Sequence, residues 1–107
     1  MTDNEIKLLN YITSINHFNG DRLDFTKSWE EQDLESEFSY MTIAELNEYN
    51  KLLETNNAGS RAVLGSLVKK GLLSTGQDTE DRLVYWIYVD EEQFNKIKEI
   101  LWNYKKF

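Results

Sequence analysis

The sequence predicts an α+β domain that is mainly helical and carries a small antiparallel β-hairpin. Three observations support this: apolar residues recur at helical spacing in several segments, Gly71 stands where a helix should stop, and residues 82–89 are typical of a strand. With 107 residues and 40% hydrophobic content, the chain suits one continuous domain over 1–107. The absence of cysteine excludes disulfides and thiolate metal sites.

The first helix is predicted over 5–18, because Ile6, Leu9 and Ile12 recur every three residues. An acidic insertion follows at about 22–37, where six acidic and two basic residues leave a net charge of -4. Its isolated apolar residues predict an irregular or partly helical segment. We expect Trp29 to anchor this segment to the domain.

The middle of the chain predicts a short strand over 38–41 and two helices. Thr42 and Glu45 have the spacing of a capping box, so the second helix is expected to begin at Ile43 and to reach about 53. The third helix is predicted over 58–70, with Asn57 as its N-cap. Gly71 then predicts a left-handed C-terminal cap.

The last third predicts a hairpin with strands at 72–75 and 82–89, followed by a helix that Asp90 and Gln93 cap. Both faces of the second strand are apolar, which predicts that both are covered; the alternative is an exposed Trp86 and Tyr88 patch for a partner. The apolar stripe expected on the last helix is Phe94, Ile97, Ile100, Leu101 and Tyr104.

This order of elements is that of a winged helix-turn-helix domain. Residues 64–73, with the sequence LGSLVKKGLL, carry the resemblance through their leucine spacing and glycine stop. Asp81, Arg82 and the helix after Val89 resemble the layout of MarR-type regulators, the multiple-antibiotic-resistance-regulator family. Residues 64–73 are also similar to the recognition-helix end of T4-type phage middle-promoter activators. The resemblance implies that the third helix enters a DNA major groove and that the hairpin tip touches the backbone or minor groove.

A small and mildly basic face is expected on the outside of the third helix, where side chains can approach phosphates or base edges. The residues of this face are Ala58, Ala62, Gly65, Ser66 and Lys69. The residues predicted to contact DNA are Asn56, Asn57, Arg61, Ser66, Lys69, Lys70 and Arg82. The acidic residues Asp78, Glu80 and Asp81 at the hairpin tip would instead repel phosphate.

The function expected from these features is double-stranded DNA binding by a transcriptional regulator of bacterial or phage type. The alternative is an acidic protein-interaction module or an inhibitor of a nucleic-acid enzyme, since residues 1–40 carry nine acidic and three basic residues, a net charge of -6. The terminal helix is a candidate homodimer contact, with a monomeric cap as the alternative.

No catalytic residue, cofactor or metal site is expected. The single histidine, His17, cannot build a histidine zinc site, and the run formed by Glu30, Glu31, Asp33, Glu35 and Glu37 is typical of a solvated surface. The N-terminus is acidic where a signal peptide is basic, and no apolar run approaches the roughly 18–20 residues of a membrane helix. We therefore expect a cytoplasmic protein without membrane contact.

Overall fold

The computed structural model describes residues 1–14, 23–32, 38–77 and 84–105, and over these residues the chain is mainly helical with a small antiparallel sheet. The predicted α+β class is confirmed. The elements are α1 (Asp3–Ser14), a 3₁₀ helix (Trp29–Glu31), β1 (Phe38–Thr42), α2 (Ile43–Glu48), α3 (Asn50–Leu53), α4 (Asn57–Lys69), β2 (Ser74–Gln77), β3 (Val84–Tyr88) and α5 (Glu91–Lys105).

Helix α1 begins two residues earlier than predicted because Thr2 and Glu5 form a capping box. The Thr2 backbone amide donates to Glu5 Oε1 at 2.8 Å, and the Glu5 amide donates to Thr2 Oγ1 at 3.2 Å. Asn4 also donates to the Leu53 carbonyl at 2.9 Å, which fixes the start of α1 against the end of α3. The part of the predicted first helix after Ser14 lies outside the described residues.

The prediction of one helix over 43–53 is wrong in its continuity, although its start at Ile43 is confirmed. Tyr49 separates α2 from α3, and its amide donates to the Leu46 carbonyl three residues earlier. The Tyr49 ring is buried, with its centroid 4.0 Å from that of Tyr11. Glu54 then ends α3 in the left-handed conformation, with φ of 52°.

Both ends of α4 are capped by local hydrogen bonds. At its start, Asn56 rather than Asn57 is the N-cap, because Asn56 Oδ1 accepts from the Gly59 amide at 2.8 Å. At its end, the Leu72 amide donates to the Leu67 carbonyl and the Gly71 amide to the Val68 carbonyl, the two bonds of a Schellman motif. Gly71 has φ of 75°, so the predicted left-handed stop is confirmed.

The sheet has three antiparallel strands in the order β1-β3-β2. Ser74 pairs with Tyr88 in β2-β3, and Phe38 pairs with the same Tyr88 in β1-β3. Pairing of the two predicted hairpin strands is confirmed, but β2 begins at Ser74 because Leu72 belongs to the helix cap and Leu72 and Leu73 are both buried. The hairpin tip, residues 78–83, lies outside the described residues.

The core gathers side chains from all five described α-helices, from the residues beside them and from the sheet. Its fully covered members include Leu8, Leu9, Ile12, Leu46, Leu53, Leu67, Leu73, Ile87, Phe94 and Ile97. Trp86 is only half-buried, yet a Cβ on Gly76 of β2 would clash with the Trp86 ring. Trp86 therefore lies closely over the neighbouring strand, and a residue larger than glycine does not fit there.

Helix α5 closes the domain and holds the acidic insertion. Asp90 and Gln93 form the predicted capping box, with bonds of 3.0 and 2.8 Å. The rings of Phe25 and Trp29 lie 5.1 and 5.4 Å from that of Phe94, so the predicted role of Trp29 as an anchor is confirmed. Tyr104, expected in the buried stripe, is 45% exposed, because the last turn of α5 extends beyond the core. Among the described helices, none combines the length and apolar character that a membrane crossing needs.

Candidate nucleic-acid interface

Helix α4 presents one face of small residues to solvent. Leu64 and Leu67 are buried on its inner side, where α4 packs against α1, α2 and α3. Ala58, Ala62 and Gly65 are exposed on the opposite side, as the helical period predicts. Nothing lies within 4 Å of the position that a Gly65 Cβ would occupy. A partner can therefore approach the backbone of α4 closely on this face.

The basic side chains of this face are Arg61 and Lys69, and both are exposed. Neither forms an ion pair with another residue that the structure describes. They are separated by eight residues, or about 12 Å along the helix axis. Residues 55–77 contain three basic and no acidic side chains, so the charge of this segment is opposite in sign to the net charge of the whole chain, which is -7.

The amides at the start of α4 already serve the fold. Asn56 Oδ1 caps the helix, and Asn57 Oδ1 accepts a hydrogen bond from Asn50 Nδ2. Asn50 Oδ1 in turn accepts from Ser60 Oγ, which links α3 to α4. Thr55 covers the first turn so closely that a Cβ on Gly59 would clash with its hydroxyl. Asn56 and Asn57 are exposed as predicted, but their amide oxygens are used within the protein.

The other end of α4 is joined to α1 through Glu5, which the sequence interpretation did not identify as part of this region. Ser66 Oγ donates to Glu5 Oε2 at 2.6 Å, and Lys70 Nζ lies 2.6 Å from the same oxygen. The Glu5 side chain is only 4% exposed, whereas that of Lys70 is 44% exposed. Hydrogen bonds from Lys70, Ser66 and Thr2 lower the pKa of the Glu5 carboxyl from 4.5 to about 2.

The seven predicted DNA-contacting residues therefore differ in their surroundings. Arg61 and Lys69 lie exposed on α4, and Asn56 and Asn57 lie at its start. Ser66, predicted on the outer face, and Lys70, predicted at its flank, both contact the Glu5 carboxylate. Arg82 and the acidic tip residues Asp78, Glu80 and Asp81 lie outside the described residues.

The acidic insertion is an ordered surface loop over its described part, residues 23–32. Gln32 Nε2 donates to the carbonyls of Asp24 and Ser28, at 2.8 and 3.0 Å. Glu30 and Glu31 are exposed, and hydrogen bonds from Ser28 lower the pKa of the Glu31 carboxyl. The loop packs against α5 through its 3₁₀ helix, and its exposed carboxylates carry negative charge. Asp33, Glu35 and Glu37 lie outside the described residues, as does His17.

Comparison with known proteins does not assign a function to this site. No protein-family model, curated protein or solved structure matches the chain. Within the described parts of the chain, no group of three or more histidine or acidic side chains is placed to hold a metal ion. The candidate interface is the exposed face of α4 with its basic residues Arg61 and Lys69.

Proposed function

We propose that this chain is a small winged-helix DNA-binding protein, a transcriptional regulator of bacterial or phage type, in which α4 is the recognition helix. The order of elements supports the proposal: α1, β1, the helices α2 to α4, and the strands β2 and β3 follow the sequence of a winged helix-turn-helix domain. In that arrangement β2 and β3 belong to the wing, and α5 is an addition after it.

The observation that carries the proposal is the exposed face of α4. An α-helix fits the major groove of B-DNA, and small side chains such as Ala58, Ala62 and Gly65 let its backbone approach the bases. Arg61 and Lys69 border this face and can each contact a phosphate. Helix α4 itself contains no acidic residue, so its own side chains do not repel DNA.

The same face also sets the kind of binding that we expect. The centre of the α4 face carries alanine and glycine rather than arginine, asparagine or glutamine, the side chains that read bases by paired hydrogen bonds. Phosphate contacts therefore supply most of the affinity, and binding should weaken steeply as salt is added. Sequence preference would come from shape and from apolar contacts with thymine methyl groups.

A protein-binding module is the second candidate, and the acidic loop favours it. Phe25 and Trp29 hold residues 23–32 on α5, where Glu30 and Glu31 are exposed in a chain of net charge -7. An ordered acidic loop can attract a basic protein surface, such as that of a nucleic-acid enzyme. This function would not depend on Arg61 or Lys69.

The deciding experiment compares two double variants that remove the same charge. R61A/K69A removes the two basic side chains of the α4 face, and K27A/K96A removes two exposed lysines from the acidic loop and α5. Fluorescence anisotropy with a labelled duplex gives Kd at several salt concentrations. We expect R61A/K69A to weaken binding and to reduce the slope of log K against log salt by about 0.9 for each phosphate that is no longer neutralised. We expect K27A/K96A to change the slope little.

Two results would contradict the proposal. One is the absence of duplex binding by the wild-type chain even at low salt. The other is an equal loss of affinity in R61A/K69A and K27A/K96A, which would mean that α4 is not the interface. The first result would leave protein binding by the acidic loop as the better candidate.

A further inference from the structure

We infer that Glu5 acts as an intramolecular substitute for a DNA phosphate at the end of α4, and that it keeps Ser66 and Lys70 out of the DNA contact. This inference rests on the proposed function, because it concerns which residues of the same face bind DNA. It limits the basic part of that face to Arg61 and Lys69.

The chemistry around Glu5 Oε2 is that of a phosphate contact. A serine hydroxyl and a lysine ammonium converge on this one anionic oxygen, each at 2.6 Å. Ser66 and Lys70 are one helical turn apart, so both side chains reach the same point beside α4. Serine and lysine are common donors to DNA phosphate oxygens, and here a carboxylate oxygen already occupies the position between them.

Glu5 is held firmly in this position. Its second oxygen, Oε1, accepts a hydrogen bond from the Thr2 backbone amide. The neighbouring Asn4 side chain donates to the Leu53 carbonyl, which holds the first turn of α1 against α3. The carboxylate is buried, and a DNA phosphate that took Ser66 and Lys70 would leave this buried charge without its partners.

The directions of the side chains on α4 also separate Ser66 and Lys70 from the residues that we expect to contact DNA. At about 100° per residue, Ala58, Ala62 and Lys69 point to one side of α4, and Ser66 and Lys70 turn from that side towards α1. Their contact with Glu5 confirms that they lie on the α1 flank. DNA bound on the small face would therefore meet Arg61 and Lys69 before it met Lys70.

Three variants test the inference with the same labelled duplex. Glu5→Gln removes the intramolecular anion, so Lys70 becomes available; we expect tighter binding and a salt slope steeper by about 0.9. E5Q/K70A removes the ion pair as a unit, and we expect Kd within about twofold of wild type with an unchanged slope, since no phosphate contact changes. K69A removes a side chain that does contact phosphate, and its slope should fall by about 0.9.

The matched control is Glu99→Gln, which removes one exposed acidic side chain from α5. The tightening in E5Q must exceed that in E99Q, because both changes alter the net charge equally. Glutamine at position 5 can retain the capping-box bond to Thr2, so α1 should still form. Circular dichroism melts verify folding, and the slope for K70A alone, expected to equal that of wild type, provides a second test if E5Q does not fold.

The inference is overturned if K70A or E5Q/K70A lowers the slope as much as K69A does, or if folded E5Q binds no more tightly than E99Q. These outcomes differ from failure of the proposed function. If the proposed function is wrong, R61A/K69A has no specific effect on binding. If only the inference is wrong, Arg61 and Lys69 still contribute to duplex binding, and Lys70 contributes as well.

Discussion

Helix α4 and the acidic loop over 23–32 are both exposed, but they are fixed to the domain in different ways. α4 buries Leu64 and Leu67 and packs against three helices, whereas the loop is held by the buried side chain of Leu23 and by the half-buried rings of Phe25 and Trp29. The charges also differ: α4 contains no acidic residue, and the described loop carries Asp24, Glu30 and Glu31 against one lysine. The basic surface therefore lies on a helix of the core, while the acidic surface lies on a short loop whose carboxylates Glu30 and Glu31 are exposed.

The largest expected effect comes from the core beneath α4. Leu67→Ala removes a fully buried side chain, and we expect a loss of about 2–5 kcal/mol in the free energy of unfolding. Chemical denaturation measures this loss. Leu52→Ala, at a residue that is 42% exposed, is the control and should change stability by less than about 0.5 kcal/mol. Similar stability in the two variants would show that α4 is not held by its buried leucines.

A smaller and more local effect is expected from the anchor of the loop. Trp29→Ala removes a half-buried ring that lies 5.4 Å from Phe94, and we expect the free energy of local opening of residues 23–32 to fall by about 2–3 kcal/mol. Hydrogen exchange should show faster exchange of amides in 23–32 and unchanged protection in α4. Equal loss of protection in both regions would mean that the loop and α4 open together as one cooperative unit.

The smallest expected effect is a difference in how two carboxylates with lowered pKa values, Glu5 and Glu31, contribute to stability. Glu5 is buried beside α4, and Glu31 is exposed on the loop. Because the pKa of Glu5 falls from 4.5 to about 2 on folding, its contribution is complete above pH 4.5 and is lost as the pH falls towards 2. We expect Glu5→Gln to cost about 1–2 kcal/mol at pH 7 and progressively less in acid.

Glu31→Gln is the matched control for this pH experiment, since the exposed carboxylate contributes little to stability. Denaturant melts from pH 7 down to pH 2.5 provide the comparison. A difference between wild type and E5Q that does not shrink in acid would show that the Glu5 charge is not the cause of the stabilisation.

Helix ends are the features that the sequence predicts most accurately. The stop at Gly71, the start of α2 at Ile43 and the Asp90–Gln93 box all occur as expected. Each depends on residues a few positions apart, so the pattern contains all the groups that interact. The N-cap of α4 is displaced by one residue because Asn56 and Asn57 are adjacent and chemically identical, and local spacing does not distinguish them.

The α+β class, the order of the elements and the small, basic character of the α4 face all follow from the amino-acid sequence, because helical period and charge are local properties. The division of a helix at Tyr49 and the reach of Glu5 to Ser66, 61 positions away, and to Lys70 arise only in the folded chain. The physical reason is that a buried carboxylate takes whichever donors the packing of α1 on α4 brings to it. No periodic pattern in the sequence predicts the contact of Glu5 with α4. Lys69 and Lys70 are adjacent residues of the same type, and they differ only because the packing of α1 places Glu5 beside Lys70.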